Sequence, residues 1–288
     1  MRLLYLLPGN IKKGLGEAEF QRRGKILQSI AGSDVTIEIA DVPTGPASIE
    51  CMCDEYQAIP GVIEATVQAE KDGFDGVIIG CAGDPGVDGA REMVKIPVIG
   101  PAQASYVVCS MLGRRFSVVT PLQELLGTTE ELVKKCGLGD SLASIRSTDI
   151  TVLDINRNPG IAAERTLEEA RKCRDLDRAD CVTLGCMSLA FAQIDKEISH
   201  QLGIPVVNPL TAAVHTLEAL VHMGVSHSKK AYPYHIKLRG VKFDRQQLRG
   251  AQAEQKKKLR TPVPFFASDP ACKNKQGFRP ISDRNVIT

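Results

Sequence analysis

The stretch Gly76-Val-Ile-Ile-Gly-Cys81-Ala-Gly-Asp-Pro-Gly86 decides the fold of this chain. Its apolar run of three β-branched residues predicts a strand that is buried on both faces of a parallel sheet. Asp84 is a preferred N-cap and Pro85 a preferred first helical residue, so a helix is predicted over Pro85–Lys95. Cys81 therefore lies at the carboxyl end of a strand, which is where open α/β sheets bind ligands.

Cys81 has two interpretations at this stage. A helix N-terminus with free amides favours a thiolate, so the pKa of this thiol is expected to fall below its usual ~8.5. The alternative is a buried apolar cysteine, because free cysteine is among the most buried residue types.

An internal repeat separates these interpretations. Asp75-Gly-Val-Ile-Ile-Gly-Cys81 aligns with Asp180-Cys-Val-Thr-Leu-Gly-Cys186, and the two cysteines are 105 residues apart. Ile96-Pro-Val98 aligns with Ile204-Pro-Val206 at a similar offset. The repeat predicts two similar lobes related by a pseudo-two-fold, with Cys81 and Cys186 facing each other across one cleft.

Strand and helix patterns alternate along the chain, which predicts an α/β fold with parallel sheets and right-handed crossovers. We expect two flavodoxin-like lobes with the active-site cleft between them. The first lobe is predicted over residues 1–104, completed by 209–228, the second over 105–208, and a basic C-terminal tail over 229–288. The individual elements predicted include helices at Glu17–Ile30, Ala58–Lys71, Leu122–Cys136 and Leu189–Leu202, and strands at Ile150–Leu153 and Cys181–Leu184.

Two facing thiols have a defined chemistry. One thiolate removes a proton from a carbon next to a carbonyl, and the other thiol returns a proton to the opposite face, which inverts the stereocentre. General acid–base help of this kind is worth roughly 10²–10⁴-fold. Backbone amides around Ala82-Gly83 and Met187-Ser188 are expected to bind the substrate and stabilise the enolate-like intermediate. This chemistry requires neither a metal nor an organic cofactor.

Several motifs resemble the aspartate/glutamate/hydantoin racemase superfamily, and most closely its hydantoin racemase branch. The resemblance covers about residues 1–235 and implies a cofactor-independent two-base racemase with Cys81 and Cys186 as the bases. It also implies that Asn10, Ser48 and Thr120 contact the substrate. The motifs are Gly45-Pro-Ala-Ser-Ile-Glu50, Gly80-Cys-Ala-Gly-Asp-Pro-Gly86, Ala90-Arg-Glu92, Ile96-Pro-Val98, Leu112-Gly-Arg-Arg-Phe-Ser-Val-Val-Thr120, Leu184-Gly-Cys186, Ile204-Pro-Val206 and Ser226-His-Ser-Lys-Lys-Ala-Tyr232.

Three departures from the family pattern border the expected cleft. The first loop is Pro8-Gly-Asn10, the second cysteine is followed by Met187-Ser188, and Asn208 stands where the family commonly has Asp. These departures bear on the substrate, for which a 5-substituted hydantoin or a related amino-acid derivative is expected.

Other functions stay open. A free amino-acid racemase or a related isomerase shares the superfamily, as does a decarboxylase of activated acids. The resemblance implies that such decarboxylases keep one cleft cysteine, so the presence of both argues against that class. A non-catalytic accessory or maturation protein that keeps the cleft is the other alternative.

Composition favours a globular protein of the cytoplasm. The chain has 288 residues, 43% hydrophobic and 24% charged, and no apolar run approaches the ~20 residues of a membrane span. Met1–Pro8 is too short for a signal peptide and is predicted to be the first strand. Nine cysteines, an odd number, indicate reduced thiols. Cys51-Met-Cys53 lacks recognisable partners for a metal, so no metal site is predicted.

Charge is unevenly distributed. Residues 229–288 carry 15 Lys and Arg against four Asp and Glu, a net +11, which leaves −9 for residues 1–228. The tail lacks any nucleic-acid-binding motif. We therefore expect it to contact the acidic body or a second subunit of a homo-oligomer, with no nucleic-acid or membrane partner.

Deletion of residues 236–288 tests this expectation. The truncated chain should unfold at a lower temperature or change its subunit number, because complementary charge is lost, while the chemistry of the cleft is kept. Thermal unfolding and light scattering after gel filtration measure the two effects. An unchanged midpoint together with an unchanged mass would contradict the expectation.

Overall fold

Two four-stranded parallel sheets carry the fold. The structure is a computed structural model, and it describes residues 1–42 and 44–234. Strand order is β2-β1-β3-β4 in the first sheet and β6-β5-β7-β8 in the second. The strands are β1 (Arg2–Leu7), β2 (Thr36–Asp41), β3 (Gly76–Ile79), β4 (Val98–Ile99), β5 (Phe116–Thr120), β6 (Leu142–Ser147), β7 (Cys181–Leu184) and β8 (Val206–Val207).

Helices connect these strands and cover both sheets. They are α1 (Ile11–Leu15), α2 (Glu17–Ile30), α3 (Met52–Lys71), α4 (Val87–Met93), α5 (Pro101–Leu112), α6 (Leu126–Lys135), α7 (Val152–Arg157), α8 (Pro159–Asp175), α9 (Met187–Phe191), α10 (Asp195–Leu202) and α11 (Pro209–His222), with short 3-10 turns at Gln123–Leu125 and Gly139–Ser141. The predicted α/β fold with two similar parallel sheets is confirmed.

The sequence repeat reappears in the hydrogen bonds. Asp75 N–H donates to the carbonyl of Arg2 and Asp180 N–H to that of Arg115, both at 2.8 Å. At the other ends of the same strands, the N–H groups of Gly80 and Gly185 donate to β1 and β5, both at 2.7 Å. Each copy of the repeat is thus pinned to its central strand at both ends.

Two helices exchange places between the sheets. Helix α5 follows the first sheet but packs on β5, β7 and β8, whereas α11 follows the second sheet and packs on β3 and β4. The two helices also pack against each other. One apolar core therefore runs through both sheets and joins Tyr5 and Ile78 with Phe116 and Leu210.

The predicted strand at Ile150–Leu153 is wrong. The strand in this region is β6, which ends at Ser147, and Val152 begins α7. Thr151 is the N-cap of that helix, and its hydroxyl accepts the N–H of Asp154 at 3.2 Å. Its β-branched neighbours suggested a strand, but the cap outweighs that propensity.

The predicted role of Asp84 is also wrong. Helix α4 begins only at Val87, after Gly86 in a left-handed conformation. The Asp84 carboxylate instead accepts the N–H groups of Ala102 and Gln103 at 3.0 and 2.9 Å. It therefore caps α5, the helix that packs on the opposite sheet.

Two further helices differ from expectation. Helix α3 begins at Met52 rather than Ala58, and Pro60 lies inside it. The helix predicted over Leu189–Leu202 is two helices, because Gln193 between them has φ of 56°. The Glu17–Ile30 helix and the Cys181–Leu184 strand have the predicted bounds.

The segment after α11 packs on the first sheet. The Nζ of Lys229 donates to the carbonyls of Arg91 and Val94. Val98 N–H donates to Nε2 of His227 at 2.9 Å, and burial lowers the pKa of that imidazole to about 4. The expectation for residues 236–288 lies outside the described residues.

In the part of the chain that the structure describes, no helix combines the length and apolarity needed to cross a membrane. The division of the chain into lobes at residues 104 and 208 stays a prediction.

Alanine at Gly80 or Gly185, the residues that directly follow β3 and β7, should destabilise the protein. A Cβ on Gly80 would lie 2.5 Å from the Tyr5 ring, and one on Gly185 would lie 2.9 Å from Val118. We expect each variant to lower the free energy of unfolding by about 1–3 kcal/mol through overpacking.

Urea denaturation measures this loss, and Gly127→Ala is the matched control. Gly127 lies inside α6 with no atom within 4 Å of an added Cβ. The control should unfold at the same urea concentration or be more stable by up to ~1 kcal/mol. If all three variants have the same free energy of unfolding, the close approach of neighbouring atoms is not the reason for glycine at positions 80 and 185.

Candidate active site

Cys81 and Cys186 line one cavity at the carboxyl ends of the two sheets. Cys81 follows β3 and Cys186 follows β7, so equivalent strand ends supply one thiol each. The cavity has a volume of about 100 Å³, which suits a small molecule. Its walls come from both lobes and consist of Leu7, Pro8, Leu15, Arg23, Ala47, Ser48, Ile49, Glu55, Gly80, Cys81, Ala82, Gly83, Thr120, Pro121, Leu125, Thr128, Thr129, Leu132, Val152, Leu153, Gly185, Cys186, Met187 and Ser188.

The Cys81 thiol lies beside a backbone amide and a carboxyl group. Gly83 N–H donates to its sulfur at 3.4 Å. The Glu55 carboxyl packs against Gly83, since an added Cβ there would be 2.1 Å from Glu55 Oε1. Burial raises the pKa of Cys81, the Gly83 amide lowers it, and the Glu55 charge raises it again.

The Cys186 thiol has a different surrounding. It is 7% exposed, and burial raises its pKa. The amides of Leu189 and Ser188 and the charge of Arg23 lower that pKa.

The expectation of a lowered pKa at Cys81 is therefore wrong in its net direction, because desolvation of a buried thiolate outweighs the amide dipoles.

Six of the remaining predicted site residues line the cavity: Ser48, Ala82, Gly83, Thr120, Met187 and Ser188. Asn10 is not among the lining residues. Its N–H donates to the carbonyl of Pro46 at 3.1 Å, which ties the first loop to the loop that carries Ser48. The assignment of these residues to substrate binding remains a proposal.

Two predicted amide donors, those of Gly83 and Ser188, and the unpredicted amide of Leu189 are directed at sulfur. Gly83 N–H bonds Cys81, and the amides of Ser188 and Leu189 serve Cys186. In residues 1–42 and 44–234, no hydrogen bond uses the N–H of Ala82 or of Met187. These two amides directly follow the two cysteines, one in each lobe.

Two charged residues of the cavity were missed from the sequence. Arg23 is only 3% exposed, and it lies on the apolar stripe of α2 with Phe20 and Leu27, which was the available signal. Glu55 escaped notice because α3 was predicted to begin after it. Burial, and then the nearby Asp84 charge, raise the pKa of Glu55 to about 7.

Within residues 1–42 and 44–234, the other cysteines and histidines take structural or surface positions. Cys51 and Cys53 are exposed, and within the described residues no group of three His, Cys, Asp or Glu side chains could hold a metal ion. His215 and His222 pair with Glu218 and Asp34 at 2.8 and 3.1 Å.

Thr120 brings a buried hydroxyl to the cavity wall. It is 1% exposed, and its Oγ1 has no hydrogen-bond partner among the described residues. A buried hydroxyl without a partner costs free energy. This hydroxyl is therefore available to a ligand in the cavity.

Comparison with known proteins gives a consistent result. A family model described as Asp/Glu/Hydantoin racemase matches residues 16–217. The hydantoin racemase of Pseudomonas sp. (strain NS671) is 39% identical over 208 residues, which cover 72% of this chain and 83% of that protein. The hydantoin racemase of Rhizobium meliloti is 36% identical over 191 residues, 65% of this chain and 78% of that protein.

A solved structure agrees with these sequence matches. Allantoin racemase from Klebsiella pneumoniae matches the fold with a TM-score of 0.76 and 28% sequence identity. The match covers 82% of this chain and 94% of that chain.

Thr120→Val tests whether the unpaired hydroxyl serves a ligand. Removal of a buried polar group without a partner should leave the free energy of unfolding unchanged or raise it by up to ~1 kcal/mol. If the hydroxyl bonds the substrate, KM should rise roughly tenfold. Denaturation and steady-state kinetics on the same preparation measure both quantities.

Thr183→Val is the matched control. Thr183 is fully buried on β7, and its hydroxyl donates to the carbonyl of Val207 at 3.1 Å. This variant should lose about 1–2 kcal/mol of stability with KM unchanged. A Thr120→Val protein that loses stability and keeps its KM would contradict the role given to Thr120.

Proposed function

The chain belongs to the Asp/Glu/hydantoin racemase family, and from this premise we propose that it is a cofactor-independent racemase. Its substrate is a 5-substituted hydantoin or a related amino-acid derivative. The observation that carries the proposal is the pair of cysteines that end equivalent strands and line one cavity.

The mechanism uses the two thiols in turn. A thiolate takes the proton from the carbon next to the carbonyl, and the electron pair of that C–H bond moves onto the carbonyl oxygen as an enolate. The thiol on the opposite side then gives its proton to the other face of the same carbon. The first sulfur ends as a thiol and the second as a thiolate, so the next turnover runs in the reverse sense.

Backbone amides are suited to stabilise the enolate. The N–H groups of Ala82 and Met187 border the cavity without another partner in the described residues. Each follows a catalytic sulfur directly, so both can reach oxygens on a substrate held between the sulfurs. Preorganised amides of this kind are worth about 3–4 kcal/mol each in other enzymes.

The cavity walls favour a neutral substrate with an apolar substituent. Leu7, Leu15, Leu125, Leu132 and Leu153 offer an apolar surface. Among the described residues that line the cavity, Arg23 is the single Lys or Arg, and its guanidinium already bonds Glu19 and Ser188. A free amino acid would bring a carboxylate that lacks a dedicated cationic partner here, which makes it the less supported substrate.

We also propose a cytoplasmic homo-oligomer. Reduced cysteines support the location. Exposed apolar side chains support self-association, and they include Val107, Met111 and Leu112 on α5 and Met223 after α11. The lobes at residues 1–104 with 209–228 and at 105–208 are proposed as the two halves that carry one base each.

Cys81→Ser and Cys186→Ser test the two-base assignment. Each variant should lose racemisation, because a serine hydroxyl is far too weak an acid and base at neutral pH. Each should still exchange the α-proton of one enantiomer with solvent deuterium, since the remaining thiolate reaches one face. The two variants should therefore prefer opposite enantiomers, measured by NMR on pure D- and L-5-substituted hydantoins.

Cys136→Ser is the control, because this partly buried thiol does not line the cavity. It should racemise at the rate of the unaltered protein. Full racemisation by either cavity variant, or the same preferred enantiomer for both, would rule out the assignment. Parallel assays with allantoin and free amino acids identify the substrate class.

A further inference from the structure

The two cysteines of the cavity are surrounded by opposite charges. A guanidinium stands on the Cys186 side and a carboxyl group on the Cys81 side, and neither residue has an assigned role. We propose that Arg23 favours the thiolate of Cys186 and that Glu55 disfavours the thiolate of Cys81, so that Cys186 is the first of the two thiols to ionise.

Arg23 reaches Cys186 from the other lobe. It lies on α2, and its Nη2 donates to the Ser188 hydroxyl at 3.2 Å and to Asn156 Oδ1 at 3.0 Å. Its guanidinium carbon lies 4.6 Å from the centre of the Phe191 ring. Three contacts with the second lobe thus fix a cation beside the residue that follows Cys186 by two positions.

Two carboxyl groups near Arg23 weaken its stabilisation of a Cys186 thiolate without removing it. Glu19 accepts from Nε of Arg23 at 2.9 Å, and the Asp41 carboxyl also faces the guanidinium. Both lie toward the first lobe, whereas the Nη2 edge points to Ser188. A cation that is only 3% exposed is weakly screened by solvent, so it still favours a nearby anion.

Glu55 acts on the other thiol. Its carboxyl packs on Gly83, whose amide donates to Cys81 Sγ at 3.4 Å. Among the described residues, no hydrogen bond or ion pair neutralises the Glu55 carboxyl. A carboxylate in this position repels a thiolate on Cys81, because like charges that share a site disfavour double ionisation.

Of three further groups near Cys81, two carry negative charge when ionised and one stays neutral. Asp84, in the turn after Cys81, adds a second carboxyl, which is partly compensated by Arg91 and Lys135. Tyr5 on β1 is fully buried and interacts electrostatically with both cysteines, and burial raises the pKa of its phenol so that it stays neutral. A thiolate on Cys186 further disfavours a thiolate on Cys81.

The consequence rests on the proposed function. A two-base racemase needs one thiolate and one thiol at the start of each turnover. In the singly ionised site the proton is on Cys81, so this site first accepts the enantiomer whose α-proton faces Cys186. The opposite enantiomer reacts only after the proton has moved to Cys186.

Alkylation by iodoacetamide tests the proposal without any turnover. Rates are followed against pH by mass spectrometry of tryptic peptides. Residues 72–91 contain Cys81 as their only cysteine, and residues 179–196 contain Cys186 together with the buried Cys181, which fragment ions separate. The midpoint of each profile reports thiolate formation, whereas the plateau rate reports access to the sulfur.

In the unaltered protein, Cys186 should reach its midpoint at a lower pH than Cys81. Arg23→Gln should move the Cys186 midpoint upward and slow its alkylation near neutral pH roughly tenfold. Arg23→Lys should restore most of that rate, because it keeps the charge. Glu55→Gln should move the Cys81 midpoint downward, and this arm stands even if Arg23→Gln does not fold.

Neighbouring residues provide the controls. Arg22→Gln removes a guanidinium that also bonds Glu19 but does not line the cavity. Asp54→Asn removes the carboxyl that precedes Glu55 in the chain. This Asp54 carboxyl accepts the N–H of Glu50. Both controls should leave the two midpoints in place.

Coincident midpoints, or a lower midpoint for Cys81, would overturn the proposal. A change in plateau rates alone would also overturn it, because it would assign Arg23 and Glu55 a structural role. Since alkylation needs no substrate, a protein that fails to racemise hydantoins still gives a readable result. Failure of the proposed function and failure of this inference are therefore distinguishable.

Discussion

Close pairing of two strand ends controls the geometry of this molecule. Gly80 N–H bonds the carbonyl of Leu6, and Gly185 N–H bonds that of Val119, both at 2.7 Å. Because each glycine packs directly against its central strand, the following residue must leave the sheet at a fixed point. Cys81 and Cys186 are those residues, so backbone pairing sets the position of both thiols before any side chain contributes.

The exchange of helices turns two strand ends into one cavity. Helices α5 and α11 each cross to the opposite sheet and pack against each other. Asp84 links this exchange to the site, since it lies three residues after Cys81 and caps α5. Burial raises the pKa of its carboxyl to about 6, which still leaves most of it ionised at neutral pH. The same turn that positions a thiol therefore also brings negative charge near it.

The repeat in the sequence was sufficient to predict two parallel sheets and the shared placement of two cysteines. This prediction was possible because strands buried on both faces need continuous apolar runs, which a single sequence shows directly. Elements that depend on a cap could not be predicted in this way. Thr151 caps a helix amid β-branched residues, and Asp84 caps a helix distant from its own turn. Arg23 was missed because its contacts with the second lobe define its role, and Glu55 because the helix that carries it was predicted to begin only at Ala58.

Burial is the reason these charges matter. Desolvation raises the pKa of both thiols, which opposes formation of the thiolate that proton abstraction needs. The amides of Gly83, Ser188 and Leu189 offset part of that cost at the sulfurs themselves. Cys186 receives two of these amides and Cys81 one, so the amides already favour ionisation of Cys186. Arg23 and Glu55, whose charges differ in sign, add to this difference between the two sulfurs. On the proposed function, a nearly symmetric fold thus supplies two bases at equivalent positions, and an asymmetric pair of charges helps to decide which one ionises first.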